Sequence, residues 1–205
     1  MHFQITAAAI LLFFYGCYFS KMIGQKKKGI QTDQLGLGKT GFVRFVEITT
    51  KFATYLAAAA EVASIFAGVS LLPVGARIAG AVIGFAGVGF FVSAVLTMRD
   101  SWRAGVSSTD RTELVTAGIF RISRNPAFLG FDLVYAGILL MFFNWVLFAF
   151  SLFAALMLHL QIVNVEEDHL ITALFHRNIV ILHVWQLIFN GAEFVVMGSK
   201  QCLCA

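Results

Sequence analysis

Charge is scarce in this chain: only 13% of its 205 residues are Asp, Glu, Lys or Arg, against 59% hydrophobic ones. Soluble domains carry about 25% charged residues, so this deficit, with a mean hydropathy of +0.83, excludes an ordinary water-facing surface. Cysteine is scarce too. Cys17, Cys202 and Cys204 are too few and too poorly spaced for a disulfide framework and leave the redox compartment open. The final Cys202-Leu203-Cys204-Ala205 matches a prenylation pattern only loosely. With two prolines, Pro73 and Pro126, little interrupts the apolar runs.

Familiar catalytic signatures are missing as well. There is no Gly-x-Ser-x-Gly elbow and no His-Glu-x-x-His helix. His169, His176 and His183 recur every seven residues, but on a helix rising ~1.5 Å per residue they stand about 10 Å apart, too far for one metal ion. No metal is expected. Gly84-Phe85-Ala86-Gly87-Val88-Gly89 has the wrong glycine order for a nucleotide loop and lies inside an apolar run. Gly80 and Gly84, four apart, instead predict close packing between membrane helices.

What the chain does contain is a series of apolar runs, each near the ~20 residues that span a bilayer as a helix. They run over 5–23, 52–72, 76–98, 127–143 and 145–163. The expected fold is therefore all-α: a polytopic membrane bundle of about five transmembrane segments, the last two forming a tight helical hairpin broken only near Asn144. Lys21 and Lys26 to Lys28 lie on the C-terminal side of the first run rather than before it, so it reads as a retained span and not as a cleaved signal. Five crossings gather every Lys and Arg except Arg77 on or next to one side. That asymmetry predicts cytoplasmic loops and an outside N-terminus, with the glycine- and lysine-rich 26–40 loop on anionic lipid headgroups. Nucleic acid is not expected, because the basic residues sit between apolar runs. Three regions are expected: 1–98, a membrane region; 99–175, which carries the chemistry; and 176–205, a tail of atypical sequence.

The polar residues that remain fall into one layer. Arg121, Arg124 and Asn125 lie just before the fourth run, and Glu166 and Glu167 just after the fifth. Asn125-Pro126 suits a helix start, whose exposed amides attract an anionic group. Arginines anchoring helix ends in headgroups beside solvated glutamates explain the same spacing equally well. Asp132, six residues past Pro126, is an ionisable group in apolar surroundings that faces the expected pocket. Glu61, in the second run, is expected to pair with a basic residue of a neighbouring loop.

Three ordered motifs surround the predicted hairpin: Leu114-Val115-Thr116-x-Gly118, Arg124-Asn125-Pro126-x-Phe128-x-Gly130, and Glu166-Glu167-x-x-Leu170. From about Ser101-Trp102-Arg103 to Leu170 the chain resembles the isoprenylcysteine carboxyl methyltransferase and phospholipid methyltransferase family of integral membrane enzymes. The resemblance implies methyl transfer from S-adenosylmethionine to a lipid or prenylated acceptor, a small molecule or peptide. It assigns cofactor contacts to Leu114, Val115, Phe120, Asn125, Pro126, Ala127, Phe128 and Glu167; the charge pattern adds Glu166 to that set, Arg124 beside Glu167 at the chemistry, and Arg121 and Asp132 toward the acceptor. Carboxylates suit the cofactor's ribose hydroxyls or amino group, and helix-start amides with Arg124 suit its carboxylate. No obvious general base is visible, which leans toward an already ionised acceptor, the carboxylate of a prenylated cysteine. A phospholipid amine is the alternative acceptor, and a non-catalytic membrane scaffold the alternative outside enzymology.

The chain departs from the family at identifiable positions. Asn125 replaces a common histidine, Phe128 a tyrosine, and Ile162 an arginine that holds the acceptor carboxylate in many members. After Phe175 the usual F-G-x-E-Y-x-x-Y pattern is absent. Permitted codons for Arg177 to Val184, read in another frame, encode E-Y-C-D-F-T-C at about the expected distance from Glu167. A tail displaced by a frameshift would bind cofactor poorly or leave the chain inactive.

Overall fold

In the computed structural model five long helices follow one another: α1 (His2–Lys27), α2 (Gly41–Ala67), α3 (Val74–Met98), α4 (Pro126–Met141) and α5 (Trp145–Gln161). Short 3-10 turns occupy Arg99–Ser101 and Gly118–Arg121, and a π-turn, Ile162–Glu166, prolongs α5. The structure describes residues 1–105, 117–123 and 125–166, residues 165 and 166 as backbone only. No strand occurs among the described residues; Asp33 and Ala104 form an isolated bridge. The all-helical membrane-bundle class expected from hydropathy is what the chain adopts.

The helices are not equally suited to a bilayer. Those covering His2–Lys27, Val74–Ser101 and Trp145–Asn164 are long and apolar enough to cross one. With 16 residues α4 is about 24 Å long, short of a ~30 Å hydrocarbon core. The second helix departs most from expectation. It begins at Gly41, not Phe52, and stops at Ala67, where Gly68 turns left-handed (φ 68°) and its amide bonds Ser64 O at 3.0 Å. Arg44, Glu47 and Lys51 interrupt the apolar run but not the helix, because two of these charges are satisfied by the preceding loop. Fully buried Glu47 accepts from Gly36 N (2.7 Å) and Lys39 Nζ (2.5 Å), and Lys51 pairs with Asp33.

Close packing of α3 on α4 is built on missing side chains. A Cβ at Gly137 would stand 2.6 Å from Gly84 N and 2.7 Å from Gly80 O, and one at Gly87 would stand 2.8 Å from Gly130 O. Backbone meets backbone at these points, the close approach that the Gly80/Gly84 spacing predicted. Where α3 and α4 meet α1, aromatic rings fill the core: Phe14 lies 4.6 Å from Phe91 and 4.7 Å from Phe131, centroid to centroid.

A second interface pairs α5 with α2 through the small buried residues Ala53, Ala57 and Ala154, with Tyr135 of α4 closing the cluster. The Thr50 hydroxyl donates to Met157 O (3.1 Å) as well as to Val46 O, which fixes the antiparallel register of α2 and α5. Only Phe142–Asn144 connects α4 to α5. Asn144 Oδ1 caps α5 by accepting from Leu147 N (2.8 Å), while its amide donates to Ser64 Oγ (2.9 Å) and Phe142 O (3.1 Å). At this same end Arg77 lies over the rings of Phe3 and Phe142, at 4.2 and 5.3 Å.

Asn144→Ala removes the cap and the tie to α2 together. Losing the cap alone costs about 0.5–2 kcal/mol, so thermal unfolding in detergent is expected to show clear destabilisation. Ser64→Ala, which leaves the cap intact, is expected to cost less; equal effects would place the stabilisation in the Ser64 bond instead.

Candidate active site

Opposite the Asn144 turn, the C-terminal ends of α1, α3 and α5 meet the N-terminal ends of α2 and α4, and polar side chains concentrate there. Gln25, in the last two turns of α1, is 1% exposed. Its amide donates to Trp102 O (2.9 Å) and Asp100 O (3.4 Å), and its Oε1 accepts from the Thr32 hydroxyl (2.7 Å). Backbone bonds from Ala104 N to Thr32 O (2.9 Å) and from Gln34 N to Ala104 O (2.8 Å) complete the tie. The loop after α1 is thereby fastened to the segment after α3. On the outer side Lys28 pairs with Asp100 at 2.7 Å and Lys21 with it at 3.7 Å.

Next to this layer α4 begins. Asn125 occupies the N-cap position and Pro126 the first turn, as the sequence predicts, with Leu129 N bonding Asn125 O at 3.0 Å. The Asn125 side chain, however, makes no cap hydrogen bond. The first-turn amides of Ala127 and Phe128 therefore receive no acceptor from it, and such a helix start favours an anionic group. Pro126 is buried, and Asn125, Ala127 and Phe128 are half-buried. Phe120, half-buried, and Arg121, exposed, lie on the 3-10 turn before the corner; a Cβ on Gly118 in that turn would meet Thr97 of α3 at 3.4 Å.

Two turns into α4, Asp132 is half-buried, and its Oδ1 has no hydrogen-bond partner among the described residues. His159 of α5 is the ionisable group that acts on it. One helix over, α5 ends in Gln161, which is 1% exposed with neither Nε2 nor Oε1 bonded among the described residues. Burying an amide this way costs about 1–3 kcal/mol unless something else satisfies it. Sequence reading passed over Gln161 because it looks like the polar end of an apolar run. The signal was present in its place on the buried stripe Leu147, Ser151, Ala154, Leu158, Gln161, spaced three and four apart.

The sequence-predicted residues thus divide. Phe120, Arg121, Asn125, Pro126, Ala127, Phe128 and Asp132 lie on the turn before α4 or its first two turns, and the backbone of Glu166 ends the π-turn that leaves α5 toward the same end of the hairpin. Leu114, Val115, Arg124 and Glu167, the Glu166 side chain and the tail lie outside the described residues. Among the described residues Glu61 does not meet the cation expected for it. Its side chain is fully buried, and both carboxylate oxygens lack a hydrogen-bond partner among the described residues. The Tyr15 hydroxyl is the group that acts on it most directly. No cluster of His, Cys, Asp or Glu among the described residues has metal-holding geometry.

A family model described as phospholipid methyltransferase matches residues 76–177. That stretch covers α3, α4, α5 and the segments joining them, and it stops where the tail departs from the expected pattern. No curated protein and no solved structure matches the chain.

Proposed function

From the premise that this chain belongs, through residues 76–177, to the phospholipid methyltransferase family within the integral membrane methyltransferases, we propose that it methylates a lipid-borne acceptor using S-adenosylmethionine. The observation that carries the proposal is the grouping, at one end of the hairpin, of two side chains without a hydrogen-bond partner among the described residues, Asp132 at Oδ1 and the buried Gln161 amide, beside a helix start that its N-cap side chain does not cap. A packed structural end would satisfy such groups internally; a binding site leaves them for a ligand.

The donor set fits the proposed cofactor. Amides at Ala127 and Phe128, with Arg124, would hold its carboxylate, and Glu166 and Glu167 would take ribose hydroxyls or the amino group. Leu114, Val115 and Phe120 would close its apolar side. When bound, S-adenosylmethionine supplies a methyl group on an already electrophilic sulfonium. The protein's own task is to align the acceptor and exclude water, for which a pocket opening at the lipid surface is suited. Positive charge around 21–28 and 99–124 supports a cytoplasmic placement of this end, with the N-terminus outside.

For the acceptor, Asp132 shifts the balance away from a carboxylate. A prenylcysteine carboxylate was favoured from sequence for want of a general base. A carboxylate with an oxygen that has no partner among the described residues repels an anionic acceptor, attracts an ammonium, and offers a place for the proton an amine must lose. The amine of a phospholipid is therefore the acceptor this site suits best. Labelled methyl from S-adenosylmethionine is expected to enter vesicles containing phosphatidylethanolamine in preference to a prenylated cysteine. Preference for the prenylated cysteine restores the carboxylate reading, and labelling of neither overturns the proposal.

An out-of-frame tail belongs to this reading. A chain whose residues after 177 are replaced by the other-frame sequence beginning E-Y-C-D-F-T-C is expected to bind S-adenosylhomocysteine more tightly than the present one. Unchanged affinity would remove the idea.

A further inference from the structure

The charged parts of the proposed cofactor have matching groups in the chain, but its neutral purine edge has none assigned, and one buried neutral amide in the site, Gln161, has no hydrogen-bond partner among the described residues. We propose that Gln161 recognises the adenine edge of the cofactor, its Oε1 accepting from the 6-amino group and its Nε2 donating to the ring nitrogen beside it. The inference rests on the cofactor reading above and adds a residue that reading does not use.

Register carries the placement. Met157 of α5 is tied to Thr50 of α2. Tyr135 of α4 packs with Ala154 and Leu158 of α5, and His159 acts on Asp132. Because α4 and α5 run antiparallel, one turn beyond Leu158 brings Gln161 level with the first two turns of α4, where the uncapped amides lie. Gln161 also continues the buried stripe of α5 rather than its lipid-facing side. Leucine would fill this place without leaving polar atoms unbonded, so an amide here has a function that packing does not explain.

The choice of adenine follows from the donor pattern. An amide presents a donor and an acceptor side by side, and adenine presents an acceptor and a donor side by side. Phe128, packed on the same cluster, adds an aromatic surface at that level. A carboxylate or an ammonium would leave half of the amide unused.

The test is calorimetric binding of S-adenosylhomocysteine, and of its analogue with hydrogen in place of the 6-amino group, to the full-length protein and to Gln161→Leu. The parent is expected to prefer the adenine ligand by about tenfold, the scale of one to two such hydrogen bonds. Gln161→Leu is expected to bind both ligands alike and, without ligand, to melt no lower than the parent, since it removes an unsatisfied buried group. Retained preference in Gln161→Leu, or a large loss of unliganded stability, would overturn the inference by making Gln161 structural. A parent that binds both ligands equally would overturn this inference alone. A parent that binds neither would overturn the cofactor reading with it.

Discussion

Gly137→Ala is expected to destabilise the bundle severely, while Gly89→Ala, one helix away, is expected to leave it unharmed. The added methyl at 137 would sit 2.6 Å from Gly84 N and 2.7 Å from Gly80 O. Both are backbone atoms of α3, so no rotamer change relieves the contact and the two helices must separate. Overpacking of this kind costs about 1–3 kcal/mol. We expect the upper end or beyond, because α3 against α4 is the most extensive helix pairing in the structure. At Gly89 nothing lies within 4 Å of the added Cβ. There the helix gains instead the preference of alanine over glycine, up to about 1 kcal/mol. Thermal unfolding of both variants in the same detergent checks the contrast. Similar melting temperatures would contradict the glycine-mediated packing that positions the start of α4.

The second large effect is on ligand binding. Glu167→Ala is expected to weaken S-adenosylhomocysteine binding by about 1–3 kcal/mol, the scale of a lost hydrogen bond to a charged group, which is at least fivefold in Kd. Asn125→Ala is expected to weaken it by a similar amount. Its side chain does not cap α4, so the change removes no helix cap. Binding indistinguishable from the parent in both variants would remove these residues from the pocket.

How far the sequence carried the account differs by element. Long apolar runs made the helices legible, and Gly80 with Gly84 made the α3–α4 contact legible, because each depends on local composition or spacing. The start of α2 was not legible. Glu47 reads as an exposed loop charge, and nothing nearby in sequence reveals that Gly36 N and Lys39 will satisfy it inside the fold. Glu61 failed for the same reason in reverse: charge bookkeeping supplied it with a cation, but helix packing set it beside Tyr15. In the candidate site, the Asn125-Pro126 corner was readable from helix-start chemistry alone. Gln161 was not, since its burial without a partner among the described residues appears only once the helices pack, and no single segment shows it.

Photolabelling tests the central claim most directly. Full-length protein irradiated with radiolabelled S-adenosylmethionine and then cleaved is predicted to carry the label in peptides spanning 118–130 and 161–170, with excess S-adenosylhomocysteine suppressing it. Label absent from both stretches, or found only in the loop between α1 and α2, would contradict a cofactor site at this end of the α4–α5 hairpin.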